Sequence, residues 1–198
     1  MNKFDSIIKR IFDFILSFIG LLFVWPIIIV AWIIASIETK SNGMFIQKRV
    51  GKDGKLFDVY KIKTMKQIPN IDTTITTKND MRITKSGAFF RKYKIDELPQ
   101  LFNVLLGDMS FVGPRPDVPG YADKLEGDDR IVLSIRPGIT GPATIKYKNE
   151  EEILANVDNP IKYNDEVIWP DKVKINKEYI KNWSLKKDIE YIIKTIKG

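Results

Sequence analysis

The chain has 198 residues, 44% hydrophobic and 29% charged, which is enough for one ordinary domain plus a membrane element but short for two cores. It has no cysteine and no histidine, which excludes disulfides, thiolate metal sites and the usual general base. The net charge of +7 suits anionic partners, but no zinc-finger spacing, RNA-binding signature or basic zipper occurs, so nucleic acid is not an expected partner.

Residues 14–37 run for 24 positions without a charge, between Lys9, Arg10 and Asp13 on one side and Glu38 and Lys40 on the other. About 20 apolar residues suffice for a spanning helix, and the stretch is too long for the apolar region of a secretory signal. Pro26 lies near its middle. It has no N–H for the carbonyl of Leu22 and its ring crowds that carbonyl, so a helix-break-helix is predicted. The halves, 12 and 11 residues long, each reach about 17–18 Å, short of a hydrocarbon core of about 30 Å. Both flanks are basic, with Lys3, Lys9 and Arg10 before and Lys40, Lys48, Arg49, Lys52 and Lys55 after. The positive-inside tendency then puts both ends in the cytoplasm, which predicts a re-entrant hairpin; a proline-kinked true span is the alternative.

Two short β-type runs, residues 44–47 and 56–62, flank Gly51-Lys52-Asp53-Gly54, whose Asp-Gly pair signals a hairpin turn. Residues 67–81, rich in Thr, Asn and Asp, are predicted to be a surface loop over a site. Apolar residues at 98, 101, 102 and 105 share one helical face, and Gly107 is placed to end that helix. Three prolines, Pro114, Pro116 and Pro119, and the run Arg136-Pro137-Gly138-Ile139-Thr140-Gly141-Pro142 are expected to be irregular. Ser184 caps a final helix with apolar positions 185, 189, 192, 193 and 196 edged by Lys186, Lys187, Lys194 and Lys197, suited to covering the core or lying at a membrane surface. Residues 171–198 carry eight lysines against four acids, which concentrates the positive charge there.

The residues that carry chemistry cluster between Lys61 and Arg115. Asp96 and Glu97 precede Leu98-Pro99 at the expected start of a helix, where they would act as a cap or, held ionised by the helix field, as a nucleophile or magnesium ligand. Arg115, between Pro114 and Pro116, has a restricted backbone and a guanidinium that forks onto phosphate, or else ties down its own loop. Arg91 is a second clamp or a solvated charge. Strand alternation puts Lys61 and Lys63 on one face with Ile62 on the other.

Taken together, these pieces resemble the small monotopic phosphoglycosyl transferases, bacterial sugar transferases that begin the assembly of surface polysaccharides and glycoproteins. The resemblance runs from the apolar N-terminus through Gln47-Lys48-Arg49-Val50-Gly51, Tyr60-Lys61-Ile62-Lys63-Thr64-Met65, Arg82-Ile83-Thr84 and Arg91. It continues through Asp96-Glu97-Leu98-Pro99-Gln100-Leu101-Phe102-Asn103-Val104, Gly107 to Pro116, and Arg136 to Gly141. The chain departs from the family at Trp25, where a serine is common, at Pro142 to Lys148, where a family arginine is missing, and at Asn176, where an acid is common; residues 149–170 match no family feature.

The resemblance implies transfer of a sugar 1-phosphate from a UDP-sugar to polyprenol (undecaprenyl) phosphate with release of UMP, using Mg2+. It makes Asp96 the nucleophile and a metal ligand, Glu97 its partner, and Lys61, Thr64, Arg91 and Arg115 the residues lining the phosphate and nucleotide site. The expected fold is α/β-associated: an N-terminal re-entrant helix-break-helix at residues 1–40, with Pro26 at the break, and at 41–198 a small, mostly helical cytoplasmic domain with a short β-hairpin and amphipathic interfacial helices. The resemblance implies the minimal form of the family, placed in the bacterial inner membrane with its catalytic domain on the cytoplasmic face, among membrane lipid and with room for a homo-oligomer. The competing expectation is a non-catalytic membrane scaffold for glycan-assembly enzymes.

Overall fold

The structure, a computed structural model, describes residues 1–66 and 80–197, so most of the surface loop expected at 67–81 lies outside the described residues. Among the described residues the fold is mostly helical, with two small two-stranded sheets. The chain divides into two compact units: one of Met1–Ile15, Lys48–Phe57 and Val104–Gly198, the other of Leu16–Gln47 and Asp58–Asn103.

The apolar N-terminus forms a single helix, α1 (Lys3–Thr39), with Pro26 inside it. One helical element thus stands where two halves around a break were predicted. It is long and apolar enough to cross a membrane. Its large side chains face outward, among them Phe18, Leu22, Phe23, Trp25, Val30 and Ile33, while Ile28, Ala31 and Ala35 make a narrow buried stripe at helical spacing.

The predicted hairpin is present as β1 (Met44–Val50) and β2 (Leu56–Ile62). Its turn needs left-handed backbone at Asp53 (φ 58°) and Gly54 (φ 77°), which explains the Asp-Gly pair, and Gly51 N–H closes it on the Lys55 carbonyl at 2.8 Å. Helix α2 (Lys85–Lys92), which the sequence did not announce, is capped by Thr84 Oγ1 accepting from Gly87 N–H. Next comes α3 (Gln100–Leu106).

The first unit contains a short parallel sheet whose second strand lies in the run 136–142 expected to be irregular. In it β3 (Ser110–Val112) pairs with β4 (Gly138–Thr140), Ser110 opposite Gly138 and Val112 opposite Thr140. Backbone proximity decides this pairing. A Cβ on Gly113 would lie 2.5 Å from the Arg136 carbonyl oxygen, and Gly138 and Gly141 are equally crowded by Gly113.

The helices α4 (Pro142–Lys146), α5 (Glu150–Ala155), α6 (Pro160–Tyr163), α7 (Trp169–Lys181) and α8 (Leu185–Lys197) follow. The previously uninterpreted residues 149–170 thus fold as α5, α6 and one π-turn, Asn164–Ile168, leading into α7. Polar pairs anchor this stretch: Lys172 to Glu150 at 2.6 Å, Lys146 and Tyr147 both to Asp171, and Tyr121 to Asp165. The predicted Ser184 cap is present, its Oγ accepting from Lys187 N–H. The core of this unit joins Val112, Ile135, Tyr179 and Ile180 with Phe111, Trp183, Tyr191 and Ile192; each large side chain fully buried contributes about 1.5–3 kcal/mol.

Candidate active site

Five of the six candidate substrate residues, Lys61, Thr64, Arg91, Asp96 and Glu97, belong to the second unit; Arg115 belongs to the first. The second-unit group is built from three segments. β2 ends just past Lys61 and leads to Thr64, whose carbonyl accepts from Thr84 N–H at 3.0 Å and so docks the start of α2. Gly87 makes the docking close, because any Cβ there would strike the Thr64 carbonyl. Arg91 lies one turn further along the same face, and its Nε donates to Thr64 Oγ1 at 2.9 Å while an Nη contacts Met65 Sδ at 3.2 Å. The Thr64 hydroxyl therefore orients Arg91. Ser86, in the first turn of α2, donates to Glu38 from both its backbone N–H and its hydroxyl.

Asp96 and Glu97 lie on a 3-10 turn, Ile95–Glu97, that precedes α3, and the residue before it, Lys94, takes the left-handed conformation at φ 57°. The pair lies ahead of α3 and not at its N-cap position, where the capping alternative would have placed it. Glu97 accepts from Lys61 Nζ at 3.1 Å, both groups half-buried. Among the described residues Asp96 Oδ1 is buried without a hydrogen-bond partner. Burial, and then the charge of Glu97, push the Asp96 carboxyl above its ordinary value against the pull of Lys61, Lys94 and Arg91. The helix field invoked from the sequence is not what governs this carboxylate.

Helix α3 also turns a different face inward from the one its apolar spacing predicted. Pro99, Gln100, Asn103 and Val104 are buried, whereas Phe102 and Leu106 are 40% and 67% exposed. The polar anchor responsible is Asn103, which sequence reasoning passed over because it lies off the apolar stripe.

In the first unit Arg115 is exposed on a rigid loop. Gly113 N–H donates to the Thr140 carbonyl at 2.9 Å, Pro114 accepts from Gly138 N–H at 2.8 Å, and Arg49 donates to the Pro116 carbonyl at 3.2 Å. Asp117, two residues on, is partly buried, and its carboxyl is pushed up to about 6 by burial despite Lys172, Arg49 and Arg115, with Glu150 adding to the rise. The folded chain thus holds this proton more tightly than the unfolded chain between about pH 4 and 6, so stability falls as pH climbs through that window. Asp117→Asn will raise the melting temperature at pH 7.5, by up to about 2–3 kcal/mol of stability, and will change nothing at pH 4. Thermal melts of both proteins across that range check this.

No group of three or more His, Cys, Asp or Glu side chains gathers among the described residues in a way that could hold a metal by itself. The arrangement offers one desolvated carboxylate with an uncommitted oxygen, a second carboxylate held by a lysine, and an oriented guanidinium. That combination suits nucleophilic attack on an anionic, phosphate-bearing substrate.

The model of the bacterial sugar transferase family matches residues 4–198. A UDP-glucose:undecaprenyl-phosphate glucose-1-phosphate transferase of Klebsiella pneumoniae is 36% identical over 203 residues, which cover 99% of this chain and 41% of that protein. A putative undecaprenyl-phosphate N-acetylgalactosaminyl 1-phosphate transferase of Bacillus subtilis is 44% identical over 122 residues, 61% of this chain and 68% of the relative. An undecaprenyl-phosphate galactose phosphotransferase of Salmonella typhimurium is 35% identical over 214 residues, again with 99% of this chain and 41% of the relative covered. The chain therefore spans about two fifths of the Klebsiella and Salmonella proteins. With a family match running nearly end to end, the chain belongs to the bacterial sugar transferases.

Proposed function

We propose that this chain moves a sugar 1-phosphate from a UDP-sugar to a polyprenol phosphate, undecaprenyl phosphate being the form named for its relatives. The observation that carries the reading is Asp96: a partly buried carboxylate with one oxygen unpartnered, beside a Glu97 held by Lys61. A carboxylate oxygen of Asp96 attacks the sugar-bearing phosphorus of the diphosphate. The bond from that phosphorus to the bridging oxygen breaks, UMP leaves with the electron pair, and an aspartyl phosphosugar remains. An oxygen of the polyprenol phosphate then attacks the same phosphorus, which restores the Asp96 carboxylate and leaves a lipid diphosphosugar. Attack of anion on anion needs cationic screening, which Arg91, oriented by Thr64, would supply within the second unit.

Magnesium fits the residues present. Mg2+ is commonly held by one or two carboxylates together with substrate phosphates and water, and the uncommitted oxygen of Asp96 is a suitable donor. When bound, it would offset diphosphate charge as UMP leaves. The long apolar helix α1 would place the site at the bacterial inner membrane, on the cytoplasmic face where nucleotide sugars are found. In this reading the two basic flanks keep both ends of α1 on that face, which requires the helix to bend at Pro26 within the bilayer.

The test is UMP release from a panel of UDP-sugars with magnesium, in lipid nanodiscs, with and without polyprenol phosphate. Turnover that requires the lipid, with a single burst of UMP in its absence, supports the two-step reaction. Absence of UMP from well-folded protein with every donor would overturn it.

A further inference from the structure

Asn103 is fully buried in α3, and its side-chain amide closes on the backbone of β2: Nδ2 donates to the Asp58 carbonyl at 2.7 Å and Oδ1 accepts from Tyr60 N–H at 3.1 Å. On a strand, the carbonyl of one residue and the N–H of the residue two further on point to the same edge. The amide therefore pairs with β2 as a one-residue stand-in for a neighbouring strand, in a dry setting where both groups would otherwise be costly to leave unmade.

The consequence is a closed circuit. One residue past Tyr60 is Lys61, whose amine pairs with Glu97, and Glu97 lies six residues before Asn103 on the turn leading into the same helix. A strand slip of two residues, the smallest that keeps Lys61 on its face, would carry it about 6.8 Å away. The same bonds hold the helix in a rotation that exposes Phe102, against its apolar spacing.

We propose that Asn103 is a positioning residue for the phosphoryl-transfer site: it sets the register of β2 against α3, and so holds Lys61 in place beside Glu97 and Asp96. This rests on the reaction proposed above, but its geometry can be tested without it. The charged groups acting on Asp96 are Glu97 on its own turn, Lys94 before it, Lys61 from β2 and Arg91 from α2. Asn103 governs the placement of Lys61 alone among them.

The experiment uses the whole chain in nanodiscs, with Asn103→Ala and the near-isosteric Asn103→Asp, which keeps the acceptor for Tyr60 and loses the donor to Asp58. Two readouts are taken. Mass-spectrometric amine labelling without substrate is expected to rise at Lys61 in both variants and to stay constant at Lys63, which bonds to Ser41. The burst of UMP release is expected to fall about 30-fold with its acid limb moved to higher pH, and in a Lys61→Met background the Asn103 change should cost less than about 3-fold. Unchanged Lys61 labelling in folded Asn103→Asp, or equal losses in both backgrounds, would overturn the proposal. Absence of UMP from the wild type would refute the reaction instead, and the labelling would still decide the role of Asn103.

Discussion

Asp96→Asn will abolish UMP release, with a loss of at least about 10³-fold, because an amide cannot form the acyl phosphate on which both half-reactions depend. The same substitution will make the protein more stable at neutral pH. Asp96 has its carboxyl raised chiefly by burial, with one oxygen unpartnered, so the folded state disfavours its ionised form. Stability supplied by the protonated form is lost as pH rises through the raised value. The melting-temperature gain of Asp96→Asn will therefore be present at pH 7.5 and shrink as pH falls. Activity runs the other way. Only the carboxylate attacks phosphorus, so the burst rate will rise with pH along a limb displaced above the ordinary carboxylate range. Glu97→Gln removes the like charge and will move that limb down; Lys61→Met removes the opposite charge and will move it up. A pH–rate profile of the first half-reaction, taken beside melts of the same proteins, checks each direction. A limb that stays in place in both variants would mean that the titrating group is not Asp96.

What was legible in the sequence was local. The hairpin rests on Asp53-Gly54, whose positive φ angles only a few residue types accept, and α8 on a Ser184 cap and an apolar period that needs no partner to be recognised. The proposed dyad, Asp96 and Glu97, was picked out because it stands directly before Leu98-Pro99, and Arg115 because a proline flanks it on each side. What was not legible was decided by distant segments. Parallel pairing of β3 with β4 depends on Gly113, Gly138 and Gly141 packing backbone to backbone, which looks in sequence like three loop glycines. The fold of residues 149–170 is held by partners at Lys172, Asp171 and Tyr121. The facing of α3 was misread because its strongest anchor is polar. Asn103 on an apolar helix looks like a surface residue until its partners on β2 are seen. A signal was present all the same: Phe102 and Leu106 leave α3 with more apolar faces than one core contact can use.

Lys9 and Asp188 show the same limit most sharply, and replacing Lys9 will have the largest effect on stability. In the sequence Lys9 is a basic flank of an apolar helix and Asp188 a polar position on an amphipathic one. In the structure they are 5% and 0% exposed and paired at 2.5 Å. Asp188 also accepts from Tyr179 OH at 2.6 Å and Trp183 Nε1 at 3.0 Å, and this setting pushes the Tyr179 phenol far above its ordinary value, by burial first and the Asp188 charge second. Nearby Asp13, also buried, accepts from Ser110 Oγ and Phe111 N–H, and the charges of both Lys9 and Asp188 act on it. One ammonium thus serves two buried carboxylates. Lys9→Met removes the ammonium that pairs with Asp188 and offsets Asp13, and will cost about 3–5 kcal/mol at pH 7.5. Asp188→Asn is milder, since Lys9 keeps Asp13, the amide oxygen can still accept from Trp183, and its Nδ2 can donate to Tyr179 OH, which turns to the Val112 carbonyl. The two variants also separate by pH. Burial raises the Asp13 carboxyl and Lys9 pulls it down, so Lys9→Met will recover relative to wild type as pH falls and Asp13 is protonated, whereas in Asp188→Asn Lys9 still holds Asp13 ionised and the recovery will be less. Thermal melts in nanodiscs at falling pH give the comparison. Equal pH dependence in both variants would mean that Lys9 contributes packing along its stem and not charge.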